Sequence, residues 1–519
     1  MEVGLSEEVY ESQEEYRRMI SHCIRYCNSG NRGTRETVLD LIDEYLVKKL
    51  HIVRDEWILL IPFHEPRKMT VWQQLEALIF YLDKDNLGNG FEKLCEMSDW
   101  RKKGGIISKE EILQAYYEVA PCFSIEEERK VLAQLLYAET VGLGIVDTLN
   151  NQKGYIEEIQ IGMSGHAEQQ FDYAETLSEK REKNFSKDGL HVMVRGTTIW
   201  LKDLSFETEE ELQRVLRNFV RETGGELTQN RPMLVADTPD GRRISISRPP
   251  MTETWVGLIR KFDTVPVVSL EQLYSGYPEG DILPKLLKQL VRSGKNIAFT
   301  GEMASGKTTL FRACLAEIKR DMNIRLIESD SFELNVRGFL PQANSLTMRI
   351  TEKTPTDDVL AFARKTTGQI FAIGEINSAA MAAMAMDLSK IASQLLFSAH
   401  YITTEHMIAD FVNAKLCVGG YSEERLAELD VVRCLGFDVH LKVRQGQRRV
   451  QWINEIIPIV KEKNQSCNMS TYEIRRIYQY DEDKEQGVLI NSPSKYTYDR
   501  AKQLLEKEEY LEFVRFFEG

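Results

Sequence analysis

The stretch N-I-A-F-T-G-E-M-A-S-G-K-T-T-L, residues 296–310, constrains the fold more than any other part of this chain. An apolar run enters a turn bracketed by glycines and leaves it as a helix-forming segment. A strand, a glycine turn and a helix in that order make the opening of an α/β unit. The residues downstream repeat the alternation. "NIRLIES" reads as a strand, "PTDDVLAFARKT" as a helix and "QIFAIGE" as a strand. "SAAMAAMAMDLSKI" then reads as a helix, "QLLFSAH" as a strand and "EHMIADFVNAKL" as a helix. Repeated strand–helix alternation implies a mainly parallel sheet covered on both faces.

The glycine turn has a specific chemistry. Small residues allow successive backbone N–H groups to wrap a phosphate, and the following helix adds the positive end of its dipole. The loop Gly301, Glu302, Met303, Ala304, Ser305, Gly306, Lys307, Thr308 and Thr309 fits that role. Lys307 is placed to reach β- and γ-phosphates, and the Thr308 hydroxyl to hold Mg²⁺. The expected ligand is ATP or a close relative. A guanine-type N-K-x-D signature is absent from the sequence.

Upstream, the texture differs. Residues 1–125 read as mostly helical, as in "TRETVLDLIDEYLVKKL" and "TVWQQLEALIFYLDK". The loop starting at Asp83 resembles a calcium hand, but Leu94 stands where the bidentate glutamate belongs. Cys23 and Cys27, beside His22, are too few for a zinc site and read as helix residues. Residues 126–265 mix a helix, short β runs and a hairpin around P-D-G, giving an α+β domain. The P-loop domain is expected over 266–462, and 463–519 is expected to be an appendage, polar and then helical.

Composition excludes some classes. No run approaches the ~20 apolar residues of a membrane span, and the acidic, polar N-terminal residues do not resemble a signal peptide. The eight cysteines form no C-x-x-C pair, in keeping with reduced thiols and a cytoplasmic setting. A net charge of −14 argues against a general nucleic-acid binder.

Beyond the loop come the acidic cluster "ESDSFEL", a strand ending in Gly374–Glu375, and His400 after a further apolar strand. In that order they resemble the boxes of the traffic ATPases of type II and type IV secretion and type IV pili. "RPMLVADTPDGRRISISRPP", "GLIRKF", "YAETVGLGIVDTLNNQKGYIEEIQI" and "GFDVHLKVRQGQRRVQWINEI" narrow the resemblance to the CpaF-like or TadA-like ATPases of Flp/Tad pili. It covers roughly residues 126–460.

The resemblance implies a homo-hexameric ring whose α+β N-terminal domain is hinged to a RecA-like motor domain. It implies a cytoplasmic machine at the inner face of the cell membrane, bound to platform proteins. Arg243 and Arg260 would reach phosphates from the N-terminal domain; the plainer reading is two surface arginines. Glu375 would order Mg²⁺ and water, and His400 would sense the γ-phosphate. The boxes also depart from the family. Ser329 stands where a glutamate is usual, leaving Glu328, Asp330 and Glu333 as candidate bases. Asn377 replaces an arginine, and Ile391 and Gln394 replace glycines in the next loop. Three readings stay open: a working or slow ATPase, a nucleotide-binding scaffold without turnover, and a small-molecule kinase.

Overall fold

The computed structural model describes residues 32–519 except 87, 101–104, 154–155, 164–188, 207, 222, 224, 239–240, 262–268, 279, 330–331, 352, 420, 422, 445–446, 460–469 and 519. His22, Cys23, Cys27 and Asp330 therefore lie outside the described residues. The chain divides between Val265 and Pro266 into two compact units.

The first unit starts with helices Arg32–Lys48, Arg54–Leu60, Val71–Asn86, Gly90–Met97, Lys109–Val119 and Ile125–Thr140. Its strands are β1 (Ile106–Ile107), β2 (Ile156–Met163), β3 (Gly189–Val194), β4 (Thr197–Leu201), β5 (Met233–Asp237), β6 (Arg243–Ser247) and β7 (Val256–Arg260). They form one sheet in the order β1-β4-β3-β2-β7-β6-β5. The hairpin expected around P-D-G is the antiparallel pair β5–β6.

The break expected after residue 125 is not a break in packing. Trp57, Leu78 and Trp100 share one apolar core with Val131, Ile159, Val192 and Ile259. β1 pairs in parallel with β4, and Arg54 donates to the fully buried Glu128 at 2.7 and 2.9 Å. A short helical run cannot bury its apolar stripe alone, and here it does so on the sheet that follows it. At Asp83 no calcium hand forms: its carboxylate accepts from Gly90 N–H and the Gln152 amide, and Leu94 is buried.

The second unit holds β8 (Ile297–Gly301), β9 (Ile324–Ser329), β10 (Ser345–Ile350), β11 (Ile370–Ile376), β12 (Gln394–Ala399), β13 (Phe437–Arg444), β14 (Gln447–Pro458), β15 (Tyr472–Asp481) and β16 (Gln486–Leu489). Their order is β10-β9-β11-β12-β8-β13-β14-β15-β16. The pairs from β10 to β13 are parallel and the last three antiparallel. Interposing β12 between β11 and the loop-bearing β8 gives the RecA-like arrangement.

Both faces of this sheet are covered. Phe299, Leu326 and Ala372 pack toward helices Leu283–Arg292 and Lys307–Leu315. Ala298, Ile327 and Ile373 pack toward helices Ala379–Ser389 and Thr404–Val418. That is why the strands read as continuous apolar runs.

The C-terminal residues are not an appendage. β15 and β16 extend the sheet, with Ile477 and Tyr478 in its core. The buried Glu455 of β14 accepts from Ser494 N–H, Ser494 Oγ and Thr497 Oγ1 at 2.5–2.6 Å, anchoring the helix Lys495–Leu504.

Candidate functional site

β8 ends at Gly301, whose φ is +133°; a Cβ there would stand 2.1 Å from the Leu441 carbonyl oxygen. Gly306, at φ +90°, caps the helix Lys307–Leu315, so both turns need glycine. Between them Glu302, Met303 and Ala304 are exposed, and Ser305 is fully buried with its hydroxyl unpartnered. Thr308 and Thr309 are half-buried on the first turn.

Lys307 is 7% exposed, and its ammonium donates to the carbonyls of Gly301 (3.0 Å) and Glu302 (2.6 Å). It also stands 3.2 Å from His400 Nδ1, and His400 Nε2 lies 3.3 Å from Glu375 Oε1. Three residues expected from sequence alone thus meet across the ends of β8, β11 and β12. Chemically, the set combines a buried cation, a partly exposed carboxylate and an imidazole between them.

The acidic cluster behaves differently. Glu328 is 2% exposed and accepts the Leu334 N–H at 2.6 Å. Its side chain lies over Gly374, where a Cβ would approach its Cγ to 3.1 Å. Glu333 is half-buried beside Leu334. Ser329 and Asn377, two of the four departures from the expected pattern, meet each other: Asn377 Nδ2 donates to Ser329 Oγ at 3.3 Å.

The turn that carries Ile391 and Gln394 needs no glycine. Neither Ile391 nor Gln394 has a positive φ, and the turn closes through Ile391 and Ala392 N–H to the Leu388 carbonyl. Gln394 begins β12, and its amide donates to Val291 and Lys295 carbonyls.

In the first unit, Arg243 and Arg260 are direct cross-strand neighbours on β6 and β7. Asp237 stands opposite Arg243 and Glu158 opposite Arg260, so one row reads acid, base, base, acid. The adjoining Ile244 and Ile259 are buried, which places the row on the other face.

Sequence reasoning missed Asp438 and His440. Both are buried on β13, two residues apart and so on one face. Thr300 donates to Asp438 Oδ1 at 2.5 Å and lies 2.9 Å from His440 Nδ1. Two polar residues inside the apolar run "GFDVHLKV", in a sheet covered on both faces, were the available signal. Burial pushes the Asp438 carboxyl up. Burial, with the Lys307 charge, pulls His440 down to about 4.

Fold and loop together define a class: a RecA-like α/β domain with a glycine turn between its strand β8 and the helix Lys307–Leu315. No protein-family model matches the chain. It is 25% identical over 384 residues to the uncharacterized protein MJ0900 of Methanocaldococcus jannaschii, covering 71% of this chain and 61% of that one. The chain thus spans about three-fifths of that relative's length. Solved structures with a likeness include the VirB11 ATPase of the Brucella suis type IV secretion system in complex with sulphate. That match has 19% identity and a TM-score of 0.28, covering 58% of this chain and 89% of that one. The pilus retraction motor PilT with bound ADP matches at 12% and 0.38, covering 69% and 86%. The Legionella pneumophila ATPase DotB matches at 11% and 0.38, covering 70% and 92%. The chain's own strand order carries the fold.

Proposed function

We propose that this chain is an ATP-hydrolysing motor subunit of a secretion or pilus-assembly machine. The observation that supports this best is the Lys307–His400–Glu375 chain at the mouth of the glycine turn. The buried, unpartnered Ser305 hydroxyl fits the reading as a donor aimed at the loop's ligand. Lys307 would draw the β- and γ-phosphates, which compete with the two carbonyls for its ammonium. The Thr308 hydroxyl and Glu375 carboxylate are hard oxygen donors of the kind Mg²⁺ prefers. When bound, that ion supplies charge neutralisation to the phosphates. Glu375 would also orient the attacking water, and His400 would couple the carboxylate to the Lys307 side.

Glu328 is a poor base, because its carboxylate is 2% exposed and its Oε1 is already taken by the Leu334 N–H. Glu333 and Asp330 are the remaining candidates. Arg243 and Arg260, as paired forks on one face, suit phosphate contact. On this reading the subunits form a homo-hexamer of the Flp/Tad kind, cytoplasmic and bound to membrane platform proteins. Among the described residues no helix is long and apolar enough to cross a membrane.

The commitment of Glu328 to Leu334 favours a second reading, a nucleotide-binding scaffold without turnover. Steady-state phosphate release with Mg-ATP, beside a nucleotide-binding titration, separates the two. The motor reading requires turnover that Lys307→Ala and Glu375→Gln both abolish. Tight binding without release in the wild type would make the chain a scaffold.

A further inference from the structure

A buried chain of hydrogen bonds runs behind the glycine turn, on the face opposite the Lys307–Leu315 helix. Asp438 takes two hydroxyl donors: Thr300 on Oδ1 and Thr404 on Oδ2, each at 2.5 Å. Thr300 directly precedes Gly301, whose carbonyl holds Lys307. Thr404 opens the helix that follows His400. One carboxylate therefore braces both segments that meet at the Lys307–His400 contact.

The remaining polarity of the chain is consistent. Having given its proton to Asp438, Thr300 accepts from His440 Nδ1–H. Thr404 accepts from Asn454 Nδ2 at 2.8 Å, and Asn454 Oδ1 accepts from Arg476 Nε at 2.7 Å. Arg476 belongs to β15, so the chain ends in the C-terminal strands. His440 lies flat on Trp452, 3.9 Å between centroids and 2° between planes.

Such a network is an expensive way to fill a core. Apolar residues of similar volume usually serve stability as well or better than buried charges. What a fully satisfied network adds is a unique geometry. We propose that Asp438 is a positioning residue of the nucleotide site, holding the phosphate-loop strand and the His400 segment in one register. This rests on the nucleotide-site reading above.

The test uses the full chain with Asp438→Asn, Thr300→Val and Thr404→Val, each with a thermal melt. Readouts are kcat and KM for Mg-ATP, nucleotide affinity, and the Trp452 emission change on adding Mg-ADP, assigned with Trp452→Phe. The expected result is kcat lowered by at least about tenfold with KM within about threefold, the signature of lost alignment rather than lost binding. The Trp452 response should fall in step. If Asp438→Asn does not fold, the two threonine variants, each losing one hydroxyl, decide the matter.

Variants that melt lower but keep wild-type kcat and a wild-type Trp452 response would overturn the proposal and leave the network as packing. If the wild type binds nucleotide without turnover, the Trp452 response alone decides. A wild type that binds no nucleotide would instead overturn the site reading, and this proposal with it.

Discussion

Lys307 Nζ stands 3.2 Å from His400 Nδ1, while the other ring nitrogen of His400 faces Glu375 at 3.3 Å. An ammonium has no lone pair, so Nδ1 must accept and Nε2 must carry the ring proton toward the carboxylate. The imidazole thus links the loop cation to the carboxylate at the end of β11. These residues are distant in sequence, and the strand order brings them together.

Removing that link should separate binding from turnover. His400→Ala leaves the glycine turn, Lys307 and Glu375 in place. ATP affinity is expected to change less than tenfold, while turnover falls roughly 10²-fold, the scale of one lost preorganised electrostatic partner. Binding titration beside phosphate release reads both. Equal losses in affinity and turnover would make His400 a binding residue instead.

Glu328 offers the opposite kind of test. Loss of the true base costs roughly 10²–10⁴-fold in rate. Glu328→Gln keeps an acceptor for Leu334 N–H and should fall well short of that loss. Glu328→Ala orphans the Leu334 donor and should cost about 1–3 kcal/mol of stability. A Gln variant as dead as Glu375→Gln would return Glu328 to the catalytic set.

How far the sequence reveals all this depends on where each signal resides. The glycine turn, Glu375 and His400 were legible because strand ends in a parallel sheet converge on one edge. β10 was not, since only Met348 of "SLTMRI" is buried on this edge strand. β15 escaped for the same reason: "YEIRRIYQYD" alternates half-exposed polar groups with few buried ones. The packing of the N-terminal helices onto the helix Ile125–Thr140 and the sheet beyond it depends on contacts such as Arg54–Glu128, which no local pattern encodes.

The helix Lys495–Leu504 should prove to be a structural part of the second unit. Glu455 is fully buried, and Ser494 and Thr497 supply its donors. Ser494→Ala and Thr497→Val each remove a hydroxyl from a buried carboxylate and should cost about 1–3 kcal/mol. Because both serve the same carboxylate, the double variant should deviate from additivity. Denaturant midpoints check this; additive losses of a few tenths of a kcal/mol would mean the helix is loosely attached.

Glu76 gives the first unit a pH dependence of definite sign. Burial raises its carboxyl to about 7, against the opposing pull of the Thr148 hydrogen bond and Arg35. The folded state therefore binds a proton that the unfolded state, titrating near 4.5, releases. The associated stability is fully present below the unfolded value and is lost as pH rises through about 7. Its size is on the order of 3 kcal/mol. Glu76→Gln keeps an oxygen for the Thr148 hydroxyl, which donates at 2.5 Å, and abolishes the titration. The variant's melting temperature relative to wild type should climb between pH 5 and pH 8. A difference that stays flat across that interval would mean Glu76 is ionised in the folded protein throughout.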